Sequence, residues 1–201
     1  MWLLISKSAD FGTQKLAYQL SKVPPLPLPT NLSTPMSTPF TPNFLGTYTN
    51  QVRVRVCGLL VHEGAILLTA HRGLLPDDAL FWSPPGGGWQ FGESVQDCLR
   101  REFREETGLT ITPGRFLHLH EFGSDQLQAL ELFFAVTSTD PAALPTLGSD
   151  PEHAPDAQLL TQLAFMPPRE LVKLPPQQVH PVLRHIISPD DLYIPQIRFR
   201  P

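Results

Sequence analysis

Residues 86–109 read GGGWQFGESVQDCLRREFREETGL, and their spacing decides how the rest of the chain is understood. The stretch has the form of a glycine-rich loop, an amphipathic helix and a glycine stop. Ser94 suits the N-cap, Asp97 lies three residues on, and Gly108 suits the position that ends a helix. On a wheel of roughly 100° per residue, Val95, Cys98, Leu99 and Phe103 form an apolar stripe. Glu102, Glu105 and Glu106 fall within that stripe, whereas Gln96, Asp97, Arg100 and Arg104 take the opposite side. A core-facing helix should not carry three carboxylates on its apolar side, because burying unpaired, mutually repelling charges is costly. A bound cation is the natural remedy, and all-oxygen ligands favour a hard ion such as Mg²⁺ or Mn²⁺.

Taken together, these positions resemble the signature of the Nudix hydrolases, Gly-x5-Glu-x7-Arg-Glu-(bulky apolar)-x-Glu-Glu-x-Gly-(bulky apolar). The fixed positions here are Gly87, Glu93, Arg101, Glu102, Phe103, Glu105, Glu106, Gly108 and Leu109, with Phe103 where an aliphatic residue is more usual. Trp82-Ser83-Pro84-Pro85-Gly86-Gly87 is similar to the family's approach to its signature. The resemblance implies a three-layer α/β/α sandwich around a mixed β-sheet. It assigns Glu102, Glu105 and Glu106 as metal ligands, together with the Gly86 carbonyl. Arg101 and Glu93 become supporting groups, and Gly87 and Gly88 let the backbone approach metal and phosphate closely. Arg72, at a strand end, becomes a candidate phosphate contact, although a solvated arginine explains it equally well. The general base in relatives is a signature glutamate or a loop acid. The loop candidates are Glu152 and Asp156, with Asp150 behind them. Gln90 stands where many relatives carry a glutamate.

The chain has 201 residues, 41% of them hydrophobic, enough for one domain with extensions. A net charge of −4 and a pI near 5.9 leave no basic footprint for nucleic acid. Cys57 and Cys98 form no C-x-x-C pattern and read as buried thiols of a reducing compartment. No stretch is apolar for long enough to span a bilayer, and Met1–Ile5 is too short for a signal core. A cytoplasmic location is expected.

Seven of the chain's 23 prolines fall between Val23 and Pro42 among Ser and Thr, so residues 1–47 read as an extension outside the fold. Met36 is an expected alternative start. The domain is expected over residues 48–188, with 189–201 as a tail of little pattern. Residues 52–61 and 65–70 read as strands joined by a turn at His62-Glu63-Gly64. Thr112-Pro113-Gly114 reads as a turn before a hairpin of residues 115–122 and 127–136. His118 and His120 share one face of that hairpin, without a third ligand in the sequence nearby. A long polar loop over residues 140–156 follows, then a strand over 159–165, a short helix at Pro167-Pro168-Arg169-Glu170-Leu171, and a closing amphipathic helix over 177–187.

The chemistry expected is metal-dependent hydrolysis of the pyrophosphate bond in a nucleoside diphosphate linked to another moiety. A nucleoside triphosphate pyrophosphatase is the alternative. A non-catalytic nucleotide sensor is the reading from another class, disfavoured because such relatives commonly lose signature glutamates and all are kept here. The partner is a small nucleotide, with neither nucleic acid nor membrane expected. A homodimer is a family habit that the sequence neither supports nor excludes.

Overall fold

Strand β1 (Gln51–His62) runs through the middle of the sheet and contacts three of its neighbours directly. The computed structural model describes residues 51–123, 127–149 and 158–199. The extension, Met36, and the loop acids Asp150, Glu152 and Asp156 lie outside the described residues. Glu63 and Gly64, with φ of 48° and 76°, turn β1 into β2 (Ala65–His71), a two-residue hairpin with both central φ values positive. The elements that follow are β3 (Phe81–Ser83), β4 (Gly86–Gly88) and helix α1 (Val95–Thr107). Strands β5 (Ile111–Gly123), β6 (Leu127–Ser138) and β7 (Leu160–Met166) come next, then a single helical turn, α2 (Pro168–Leu171), and strand β8 (Gln196–Arg198).

The sheet is mixed, in the order β3-β2-β1-β6-β5-β8, with β4 also pairing β1 and β7 pairing β2. Strand β6 lies parallel to β1, and β4 antiparallel to it. Alternation along the strands sends side chains to two apolar layers. On one face Val56, Leu60, Ile111 and Val136 pack against Cys98, Leu99 and Phe103 of α1. On the other, Cys57, Leu59, Leu117 and Phe133 are covered by Leu171, Val182, Leu183, Ile186 and Leu192. Each fully buried side chain of this size stabilises the fold by about 1.5–3 kcal/mol relative to exposure. The first of these layers holds α1 against the sheet.

Four sequence expectations change. The closing helix over 177–187 is replaced by 3-10 turns at Pro176–Gln178 and Pro181–Leu183. Pro181 inside that span has no N–H and clashes with the preceding turn, so a continuous helix cannot form. Thr112, Pro113 and Gly114 belong to β5, which keeps its pairing with β6 by bulging between Pro113 and Phe116. The glycine-rich loop begins as a strand, because Gly86, Gly87 and Gly88 pair with Cys57, Val56 and Arg55. The pattern-poor C-terminal stretch supplies a 3-10 turn at Pro189–Tyr193 and the edge strand β8 beside β5.

Candidate active site

Helix α1 starts and stops where its sequence directs. The Ser94 hydroxyl oxygen accepts from the Asp97 amide at 3.1 Å, and Gly108 closes the helix with φ of 68°. Glu102 and Glu106 are buried on the side turned toward β4, and Glu105 is partly exposed. The Gly86 amide donates to Glu106 Oε2 at 2.9 Å. Arg101 donates to Glu102 Oε1 at 2.7 Å, to Glu105 Oε2 at 3.3 Å, to both Glu93 oxygens at 2.7 and 3.2 Å, and to the Gly88 carbonyl at 3.0 Å. One guanidinium thus meets three carboxylates, with Glu106 close by. Its hydrogen bonds hold Glu93 below the usual carboxylate range. Burial pushes Glu102 the other way, up to about 7, with repulsion from Glu105 adding to it and Arg101 opposing.

The carboxylates press against a backbone without side chains. A Cβ on Gly87 would lie 2.5–2.6 Å from the carboxyl atoms of Glu102. One on Gly86, whose φ is 146°, would meet Val56 O at 2.3 Å. Only glycine lets β4 pass between β1 and the helix. This donor set of carboxylate and carbonyl oxygens, short of positive charge, fits a hard divalent cation.

Arg72 is exposed just beyond β2, where its amide donates to Leu159 O at 2.8 Å. Thr146 and Gly148 donate amides to the Thr107 and Glu106 carbonyls at 2.9 and 3.0 Å. They satisfy acceptors that a helix end leaves open. Residues 146–148 therefore run alongside the last turn of α1.

A second polar group went unread in the sequence. Arg55, Glu131 and His120 are register neighbours across β1, β6 and β5. Arg55 Nη1 donates to Glu131 Oε1 at 3.1 Å, and Arg55 Nη2 to the Gly86 carbonyl at 2.8 Å. His120 Nδ1 and His180 Nε2 donate to Glu131 Oε2 at 2.8 and 2.9 Å. Against the burial that opposes its charge, these rings and the guanidinium hold Glu131 well below the usual carboxylate range. His118 is buried on β5 outside this cluster, so the histidine pair seen in the sequence does not act together. The ligand atoms of His120, Glu131 and His180 lie within 4.8 Å of one another, as a metal site would require. The tautomer argues against one. His180 Nδ1 accepts from the Val182 amide at 3.2 Å, so the ring proton sits on Nε2. Ligation through Nε2 would move that proton onto Nδ1, facing an N–H. The legible signal was Glu131 itself, which follows Leu127 and Ala129 in the inward parity of β6 and precedes Phe133.

The Nudix domain family matches residues 49–188, which contain the whole of this site. The chain belongs to the Nudix family. A nucleoside triphosphatase, NudI, from Escherichia fergusonii is 44% identical over 72 residues, 32% of this chain and 49% of the relative. The chain spans about half the length of the curated relatives it matches. Among solved structures, a MutT protein from Methanosarcina mazei Go1 aligns with a TM-score of 0.52 and 20% identity over 71% of this chain and 90% of its own. A Nudix hydrolase from Nitrosomonas europaea aligns with a TM-score of 0.53 and 18% identity over 71% and 88%. These likenesses establish the Nudix fold. Among the described residues, no helix is long and apolar enough to cross a membrane.

Proposed function

We propose that the protein is a divalent-metal-dependent hydrolase of the pyrophosphate bond in a nucleotide. The observation that carries this reading is the helix face itself, where Glu102, Glu105 and Glu106 converge beside Gly86 and Gly87 with Arg101 as their neighbouring cation. Glu102, Glu105, Glu106 and the Gly86 carbonyl would hold Mg²⁺ or Mn²⁺. The ion would supply charge neutralisation on the phosphoryl oxygens and a more acidic bound water. Arg101 orients Glu102 and Glu105, and Glu93 fixes Arg101 from the opposite side. Arg72 and the backbone of Gly87 and Gly88 are the phosphate contacts in this reading. The base is a signature glutamate or a loop acid, Glu152 or Asp156, with Asp150 behind them. What supports that choice is the pairing of Thr146 and Gly148 with the last turn of α1.

The substrate is a nucleoside diphosphate linked to another moiety. A second reading, a nucleoside triphosphate pyrophosphatase, is favoured by the 44% identity to a nucleoside triphosphatase. The 72 matched residues are about half of that relative. The test is a product analysis across a panel of nucleoside triphosphates and nucleoside diphosphate conjugates with Mg²⁺ or Mn²⁺. Inorganic pyrophosphate with a nucleoside monophosphate identifies the triphosphate reading. A monophosphate with a phosphorylated second moiety identifies the conjugate reading, and turnover of neither panel rejects both.

A further inference from the structure

We propose that Glu131 is a positioning residue, which through Arg55 orients the Gly86 carbonyl beside the carboxylates of α1 and so sets the affinity of that site for a divalent cation. The inference rests on the metal-dependent reading of the helix carboxylates.

Gly86 is held from two directions by charged side chains. Its amide donates to Glu106 Oε2 at 2.9 Å, and its carbonyl accepts from Arg55 Nη2 at 2.8 Å. A carbonyl oxygen has two lone pairs, so the arginine bond leaves one acceptor direction for a cation and fixes where it points. An arginine alone would not hold that direction, because its long side chain has many rotamers to lose. Glu131 removes the freedom by accepting Nη1 at 3.1 Å. Glu131 is itself immobilised by His120 and His180 on its other oxygen. His180 is fixed in turn by the Val182 amide, by its own amide donating to Trp82 O at 2.9 Å, and by buried Val182 and Leu183. Hydrogen bonds thus run from the 3-10 turn at Pro181–Leu183 through Glu131 and Arg55 to the backbone of the signature loop. A buried ion pair present only for stability would not need its arginine aimed at this carbonyl. Arg55 lies opposite Gly88 in the β1–β4 ladder, yet its second nitrogen reaches back to Gly86.

The test is Mn²⁺ titration of the full chain by calorimetry, with melting temperature recorded beside it. Groups that orient ligands typically contribute 10- to 100-fold in metal affinity. Glu131→Gln and Arg55→Lys are each expected to weaken Mn²⁺ binding by about 10-fold or more. The double variant should lose no more than the weaker-binding single one, because Glu131 acts through Arg55. Where Glu131→Gln does not fold, His120 supplies the same test. His120→Asn keeps an N–H near the Nδ1 position and retains affinity, whereas His120→Leu weakens it. Wild-type affinity in Glu131→Gln, or in His120→Leu, overturns the proposal. A double variant whose loss is the product of the two single losses also overturns it. Glu102→Gln and Glu106→Gln serve as the reference: unchanged Mn²⁺ binding in both means that the metal-site reading has failed. Loss of binding there with none in Glu131→Gln rejects the positioning role alone.

Discussion

The two polar clusters of this protein have opposite charge balance, and the comparison separates a site that calls for a cation from one that does not. On α1, Arg101 faces Glu93, Glu102 and Glu105, and Glu106 accepts from the Gly86 amide. Across the sheet, one carboxylate, Glu131, meets Arg55 and two imidazole N–H groups. By residue type alone the second set, with two histidines and a glutamate, looks the better metal site. The two ring nitrogens that face Glu131 have no lone pair for an ion, because each already carries the proton it shares. The first set gathers three carboxylates on one guanidinium. In the proposed reading, excess charge rather than ligand identity marks where a divalent ion would bind.

The sharpest way to break this contrast is to remove charge from α1. Glu102→Gln and Glu106→Gln keep shape and lose a ligand charge. Each is expected to cut turnover by at least about 100-fold while the protein stays folded. Steady-state kinetics at saturating Mn²⁺ reads the first, circular dichroism the second, and near wild-type turnover in both would end the assignment.

A smaller loss should follow from Gly87→Ala. The new methyl would occupy the place of the Glu102 carboxyl, 2.5–2.6 Å away, and a flexible side-chain end can yield where backbone cannot. Glu102 then swings off its position. Mn²⁺ affinity and turnover should drop about 10-fold, in the range for disturbed ligand orientation, with little change in melting temperature. A large fall in melting temperature with intact Mn²⁺ affinity would show that the glycine serves packing instead.

The mildest effect is a pH slope. Burial raises Glu102 from 4.5 to about 7. The stability contributed by this group in the metal-free protein is present in full below about 4.5 and is lost as pH rises through about 7. Mn²⁺ affinity should climb over the same window, because the ligand must lose its proton. Melting curves of the metal-free protein between those limits should slope downward with pH, and Glu102→Gln should flatten the slope. Glu131, held well below the usual range, is already ionised there, so its replacement should leave the slope unchanged. A slope that survives Glu102→Gln would assign the titration to another group.

Much of the site was legible without coordinates because it is local. Ser94, the periodicity of α1 and Gly108 lie within one helix, and a repeat near 3.6 places Glu102, Glu105 and Glu106 on one side whatever else the chain does. The strands on either side were legible for the same reason, since alternation is a nearest-neighbour property. The closing segment was misread because its apolar spacing suits a helix while Pro181 forbids one. Arg55 lies in a strand whose sequence names no partner for it, and His120 lacked partners in its own neighbourhood of sequence. Their partner Glu131 is brought to them by parallel pairing of β1 with β6 and antiparallel pairing of β5 with β6. The sequence by itself determined the helix, its caps and the carboxylate face, because these depend on residues within a few turns of one another. Only the tertiary structure decided which buried charge is balanced, because compensation of Glu131 comes from Arg55, 76 residues away, and His180, 49 residues away.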